Sequence, residues 1–122
     1  MKSIAIEAEP AFFPARSEPD EAKYFFTYTI TISNNGTQPV QLISRNWLIL
    51  DSNQKKQEVS GAGVVGQQPH IEPGDNFTYT SGAVIETPVG TMEGSYIMVD
   101  GQGAQFEVPI KPFLLALPGI IH

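Results

Sequence analysis

The chain has 122 residues, of which 41% are hydrophobic and 16% are charged, a composition typical of one folded globular domain. It contains no cysteine, which excludes disulfides, thiolate metal sites and cysteine nucleophiles. Its net charge of -6 repels nucleic-acid phosphates, so we expect no nucleic-acid partner. We expect a single domain over residues 1–122.

The N-terminal segment predicts a strand at the edge of a sheet. Ile4 and Ile6 alternate with small or polar residues, and Pro10 is tolerated in edge strands because it has no N–H for a ladder hydrogen bond. Glu7 and Glu9 interrupt the apolar core that a signal peptide needs. We therefore expect a cytoplasmic protein.

The segment from Tyr24 to Ser33 predicts a long, half-buried strand because its residues alternate strictly between two faces. One face carries Tyr24, Phe26, Tyr28, Ile30 and Ile32, and the other carries Phe25, Thr27, Thr29, Thr31 and Ser33. The turn Asn34–Thr37 follows, and its Asn-Gly pair readily adopts positive φ angles. This turn predicts a hairpin, with the next strand, Pro39 to Asp51, returning antiparallel.

That next strand contains the sequence SRNWLI, which places Arg45 and Trp47 on one face together with Ile43 and Ile49. A core tryptophan with the aliphatic stem of Arg45 packed beside it is the interpretation that a sandwich favours. An exposed Arg45 and Trp47 would instead indicate a partner-binding hot spot.

The stretch SGAGVVGQQP, Ser60 to Pro69, places Gly61, Gly63 and Gly66 in the G-x-G-x-x-G spacing of dinucleotide-binding loops. Such loops need a following helix N-terminus, which Pro69 argues against. The stretch itself contains no cation. We therefore expect the glycines to serve a bend or close packing between strands. The alternative is a backbone nest that binds pyrophosphate.

Three further alternating segments predict strands, at Asn76–Thr87, Gly90–Asp100 and Ala104–Ile110. Glu72–Asp75 predicts a turn before the first of them, and Asp100–Gly103 predicts a hairpin between the last two. No window has the 3.6-residue period of a helix. Together these elements predict an all-β fold, a two-sheet antiparallel β-sandwich.

Two regions carry residues that strand packing alone does not require. Thr80–Met92 is irregular, and we expect a partner-binding surface there that includes Ser81 and Glu86. Pro112–Ile121 is the longest apolar run, but it has about half the ~20 residues that span a bilayer, so we expect no membrane insertion. This run is expected to be buried within the sandwich of a monomer or against a second subunit of a homodimer, and the sequence does not choose between the two.

The sequence offers little for metal binding or catalysis. The candidate ligands are Asp51, Glu58, Glu72, Asp75, Glu86, Asp100, His70 and His122. Only Glu72 and Asp75 are close, and acidic residues flank turns because they are solvated there. No G-x-S-x-G elbow occurs. We expect no metal site, no cofactor and no enzymatic activity.

Three strings point to a family: PVQLISRNWLI, the long stretch VSGAGVVGQQPHIEPGDNFTYTSGAVIETPVGTMEGSYIMVD, and the ending PIKPFLLALPGIIH. They resemble the bacterial ApaG family over nearly the whole chain. The resemblance implies an immunoglobulin-like, fibronectin type III-like β-sandwich. It also implies an association with cobalt tolerance and magnesium efflux, and a gene neighbour that hydrolyses diadenosine tetraphosphate.

The expected function is therefore a non-enzymatic module that binds a protein partner, with an indirect link to divalent cations. The alternative is a sensor that binds pyrophosphate or a polyphosphate nucleotide, with or without Mg²⁺, at the loop Gly61–Gly66.

Overall fold

The computed structural model describes residues 3–119, and their regular secondary structure is almost entirely β-strand. The strands are β1 (Ile4–Phe12), β2 (Tyr24–Asn34), β3 (Val40–Asp51), β4 (Lys56–Ala62), β5 (His70–Ile71), β6 (Asn76–Ile85), β7 (Val89–Asp100) and β8 (Gln105–Ala116). Two short 3₁₀ helices, Pro14–Arg16 and Pro19–Glu21, connect β1 to β2. Within residues 3–119, no helix is long and apolar enough to cross a membrane.

The strands form two antiparallel sheets. The first, the small sheet, has the order β1-β2-β6, and the second, the large sheet, has the order β4-β3-β7-β8 with β5 also paired to β3. All of the strand pairs are antiparallel. The inner faces of the two sheets share one hydrophobic core. The predicted two-sheet antiparallel β-sandwich is confirmed.

Alternation along β2 and β7 determines which side chains enter the core. In β2, Phe26 and Ile30 are fully buried, as the period-two pattern predicts. In β7, Met92, Tyr96 and Met98 are fully buried. Both strands lie in the interior of their sheets, so one face of each packs against the opposite sheet.

Several predicted elements are confirmed. β1 lies at the edge of the small sheet. The turn before β6 forms as expected, with the Asp75 N–H donating to the Glu72 carbonyl at 2.9 Å. In the hairpin between β7 and β8, the Gly103 N–H donates to the Asp100 carbonyl at 3.0 Å. Gly103 has a φ of 82°, a conformation that glycine adopts without steric cost.

The predicted hairpin at Asn34–Thr37 is wrong, because the chain crosses there from the small sheet to the large one. The positive-φ residues do not include Asn35 or Gly36, whereas a two-residue hairpin turn needs a positive φ. The buried Asn34 side chain donates to the carbonyls of Gln38 at 2.8 Å and Ile71 at 2.9 Å. Its Oδ1 accepts the N–H of Gly36. These bonds replace the strand pairing that a hairpin would continue.

The predicted face of β3 is correct at Arg45, Trp47 and Ile49 but wrong at Ile43. Trp47 and Ile49 are buried, and Arg45 lies opposite the buried Tyr96. A β-bulge between Leu42 and Ser44 then shifts the alternation by one residue. Leu42, instead of Ile43, is fully buried.

The sequence pattern did not predict β4 or β5, and it ended β8 too early. Five of the seven residues of β4 are exposed and none is buried, so it gives little alternating signal, and β5 has only two residues. β8 continues past Ile110 to Ala116 through a bulge opposite β7. In the apolar C-terminal run, Leu115 is fully buried while Leu114 is 41% exposed. Ile120 and Ile121 lie outside the described residues.

We expect Asn34→Ala to lower the free energy of unfolding by about 2–4 kcal/mol, because it leaves two carbonyls without their donor in or near the core. Urea denaturation monitored by tryptophan fluorescence measures this change. The matched control is Asn35→Ala, since Asn35 is exposed and its substitution should stay within about 0.5 kcal/mol. Equal effects of the two substitutions would contradict the role of Asn34.

Candidate functional site

The glycine stretch begins in β4 and ends in a tight turn. Gly61 pairs with Arg45 in the ladder between β3 and β4. Val65 and Gly66 have φ angles of 42° and 79°, and Val64 and Gln67 exchange backbone hydrogen bonds around them at 2.8 and 2.9 Å. This is a two-residue turn with positive φ at both central positions. In the part of the chain that the structure describes, no helix follows it, as predicted.

Gly63 is required by the shape of this turn. Its φ is 65°, and a Cβ added there would lie 2.1 Å from the Gln67 carbonyl oxygen. Its N–H donates to the Ile43 carbonyl at 2.8 Å. Three backbone N–H groups of the stretch, those of Gly63, Val64 and Gln67, thus already have carbonyl partners.

The glycine stretch contains no cation of its own, but the fold places one beside it. The β3–β4 pairing brings Arg45 against Gly61, where an added Cβ would lie 3.0 Å from Nη1. Nη1 donates to the carbonyls of Ala62 at 3.1 Å and Gly63 at 2.8 Å. The cation comes from a neighbouring strand, so a search within the loop sequence could not find it.

Arg45 also lies close to a buried pair of tyrosines. The hydroxyls of Tyr79 and Tyr96 are hydrogen bonded to each other. Burial is the main cause that raises the pKa of Tyr79 to about 12, and the charge of Arg45 opposes the shift. Burial, together with Tyr79, also raises the pKa of Tyr96.

The four residues expected to bind a partner do not form one surface. Trp47 is only 4% exposed and contacts the rings of Tyr28, Tyr96 and Phe113, as the core interpretation expects. Ser81 lies opposite Tyr28 in the ladder, on the core side of β6. Glu86 is exposed and pairs with Lys55 at 2.7 Å.

The structure instead places an aromatic patch on the outer face of the small sheet, formed by Phe13, Arg16, Phe25 and Val84. Phe25 lies opposite Val84 in the ladder, and Phe13 contacts Phe25 edge-on with ring centroids 5.8 Å apart. The Arg16 guanidinium carbon lies 4.9 Å from the Phe25 ring centroid. Phe13 and Val84 are 38% and 42% exposed. Glu86, one of the residues expected to bind a partner, lies two positions after Val84 in the chain.

Neighbouring groups hold this aromatic patch in place. The Phe25 ring lies over Gly82, where an added Cβ would be 2.6 Å from Cζ. The Ser17 hydroxyl donates to the Phe13 carbonyl and accepts the Phe25 N–H, at 2.9 and 2.8 Å. The one available sequence signal was Phe25 itself, an aromatic residue on the otherwise threonine-rich face of its strand.

No group of three or more metal-ligating side chains forms within residues 3–119. The candidate pair Glu72 and Asp75 lies in an exposed turn, and His70 is exposed on β5. His122 lies outside the described residues.

Comparison with known proteins gives the family. A sequence model of the ApaG domain matches residues 14–100. The chain belongs to the ApaG family. It is 50% identical to the ApaG protein of Shewanella pealeana over 120 residues, which cover 98% of this chain and 95% of that protein. It is 52% identical to the ApaG protein of Pectobacterium atrosepticum over 119 residues, with coverages of 98% and 95%.

The similarity to this family is also seen in three-dimensional structure. A crystal structure of a Bordetella pertussis protein described as ApaA superposes with a TM-score of 0.94 at 47% identity. The match covers 97% of this chain and 96% of that one. The sandwich is therefore the fold of close relatives as well as of this chain.

We expect stability to fall as the pH rises from 10 toward 12. Folding raises the pKa of Tyr79 from 10.0 to about 12 and raises that of Tyr96, so above pH 10 the unfolded chain releases protons that the folded chain retains. Each tyrosine contributes full stability below pH 10 and loses up to about 1.4 kcal/mol per pH unit above it. Urea unfolding at pH 9, 10 and 11 measures the slope. Tyr79→Phe should reduce that slope, and an unchanged slope would show that the buried tyrosine pair does not cause it.

Proposed function

We propose that this protein is a non-enzymatic protein-interaction module that uses the aromatic patch as its binding hot spot. The observation that carries the proposal is that the patch is exposed and that its central ring is held by several neighbouring groups. Protein interfaces are enriched in aromatic residues, phenylalanine among them, and in arginine, and exposed apolar side chains that cluster, instead of being scattered, mark interaction sites.

The energetics of the aromatic patch support the same proposal. Phe25 is in contact with Phe13, Gly82 and Arg16. Binding of a partner would therefore immobilise few additional side chains at this surface. Binding to a pre-organised surface avoids much of the side-chain entropy cost of about 0.5–1.5 kcal/mol per immobilised residue. The cytoplasm is the proposed location, and the family's association with cobalt and magnesium would arise through the partner.

A second candidate function is favoured by one observation, the position of Arg45 beside Gly61. A guanidinium group at a glycine turn can attract a phosphate, which supports a sensor of pyrophosphate or a polyphosphate nucleotide. Against it, Nη1 already serves two carbonyls and three backbone N–H groups of the stretch are used internally. The aromatic patch is therefore the better supported site.

We expect the double variant Phe13→Ser/Val84→Ser to reduce recovery of bound proteins at least tenfold in affinity capture from a bacterial lysate, because two hot-spot side chains are lost. The matched control is Val65→Ser/Leu114→Ser, which removes two side chains that are 51% and 41% exposed elsewhere. Thermal melting must show both variants folded. Equal loss in the two variants, or no protein recovered by the unaltered chain beyond the tag alone, would contradict the proposal.

The sensor predicts saturable amide NMR shifts in residues 60–69 on titration with pyrophosphate or diadenosine tetraphosphate, with and without Mg²⁺. Because Arg45 is the cation at this loop, Arg45→Gln should weaken such binding. Lys56→Gln is the control, since Lys56 is an exposed cation of β4. Absence of shifts at millimolar ligand would eliminate the sensor. Release of product from diadenosine tetraphosphate would contradict the non-enzymatic part of the leading proposal.

A further inference from the structure

The sandwich is open along one side, where edge strands β1 and β8 face each other. β1 is the edge of the small sheet and β8 the edge of the large sheet. Between them lies a cleft of about 540 Å³, a volume within the range of roughly 300–1,000 Å³ typical of small-molecule sites. We refer to it as the β1–β8 cleft.

Apolar side chains from both inner faces line the β1–β8 cleft. β1 contributes Ile4, Ile6 and Ala8, which pack against the core but are only partly buried. β8 contributes Val108 and Ile110, which are buried, and the half-buried Phe113. The inner face of β1 thus carries apolar surface that the opposite sheet covers incompletely, and burying it in an apolar ligand would be favourable.

A bulge in β8 lies beside the β1–β8 cleft. In the ladder, Met92 pairs with Phe113 and Gly94 pairs with Ile110, so Lys111 and Pro112 together oppose one residue of β7. Such a bulge bends the strand locally. Both Lys111 and Pro112 line the cleft.

The charge of the lining indicates the chemistry of a ligand. Lys111 is the charged member of the lining, it is exposed, and within residues 3–119 it takes part in no ion pair. Glu7, Glu9 and Glu107 are the carboxylates next to lining residues in sequence. They pair with Thr31, Thr29 and Ile97, at positions that alternate with the inner-face residues and face away from the core. Glu93 is the exposed residue of β7 opposite the bulge, and within residues 3–119 no ion pair joins it to Lys111. An apolar chain ending in an anionic group therefore complements the cleft.

Prolines argue against an added β-strand as the occupant. Pro109 and Pro112 line the cleft from β8, and Pro10 lies in β1. Each proline removes one backbone N–H that a docking strand would need. The edge is therefore poorly suited to strand addition, whereas a small ligand needs no ladder of hydrogen bonds.

We propose that the β1–β8 cleft binds an aliphatic monocarboxylate, with the hydrocarbon chain between the two sheets and the carboxylate at Lys111. This site is separate from the aromatic patch and does not depend on the proposed protein partner.

Titration of the full chain with decanoate, followed by amide NMR and calorimetry, tests the proposal. We expect saturable shifts in residues 4–8 and 108–113. Octanoate should bind about fifteenfold more weakly, because each methylene group removed from an apolar site weakens binding roughly fourfold. 1-Decanol, which lacks the charge, should bind more weakly than decanoate.

Two variants of the cleft and one control variant make the test specific. Lys111→Gln should weaken decanoate binding about twofold to fivefold, the range for an exposed ion pair, and leave 1-decanol binding unchanged. Lys56→Gln, an exposed lysine outside the cleft, should change neither. Ala8→Phe should fill the cleft and block both ligands, provided that thermal melting shows it folded. Lys111→Gln alone decides the question if Ala8→Phe does not fold.

Several results would overturn the proposal. They are the absence of saturable decanoate binding, equal affinities for decanoate and 1-decanol, and equal effects of Lys111→Gln and Lys56→Gln. An acetylated Leu-Leu-Ile peptide with a free carboxylate is the last probe. Saturation of the cleft by this peptide without binding of decanoate would assign the cleft to a peptide C-terminus instead.

Discussion

Packing of one tryptophan side chain between the two sheets is the contact on which much of the sandwich depends. Trp47 extends from β3, and its ring centroid lies 5.3 Å from that of Tyr28 on the small sheet. On its own sheet it contacts Tyr96 and Phe113, at 6.3 and 5.9 Å. Edge-to-face aromatic pairs of this kind contribute beyond their buried area. They join β2, β3, β7 and β8 in one cluster, which fixes the positions of the strand edges around it.

Both candidate sites lie at the margins of this core, where apolar side chains are only partly covered. The aromatic patch uses the outer face of the small sheet, where Gly82 leaves room for the Phe25 ring. The β1–β8 cleft lies along the open side, where Ile4 and Ile6 are only partly covered. The side between β4 and β6 is closed differently, by the hydrogen bond from Gln57 to the Val84 carbonyl and the ion pair of Lys55 with Glu86. Both candidate sites thus carry apolar side chains that the core leaves partly exposed.

The sequence predicted the positions of the individual strands better than it predicted which strands pair with each other. The alternation of buried and exposed residues along a strand is a local pattern, so the predictions of the inner face of β2 and of the buried residues of β7 were correct. The hairpin at Asn34–Thr37 was wrong because the Asn34 side chain bonds to Ile71, a residue far along the chain. Ile43 was placed on the wrong face because a bulge shifts the alternation. Arg45 was missed as the cation of the glycine loop because only strand pairing brings it to Gly61.

Local sequence patterns were enough to predict the fold class, the turn at Glu72–Asp75, the hairpin at Asp100–Gly103 and the absence of a helix after the glycine stretch within residues 3–119. These depend on alternation, on glycine at positive φ and on proline, all of which act over a few residues. Long-range packing sets which strands pair, which strand edges stay open and which exposed side chains meet. Phe13 and Val84 are 71 positions apart in the chain (84 minus 13). The pairing of β2 with β6 places Val84 beside Phe25, and the Phe13 N–H, which donates to the Phe25 carbonyl, places Phe13 on the same surface.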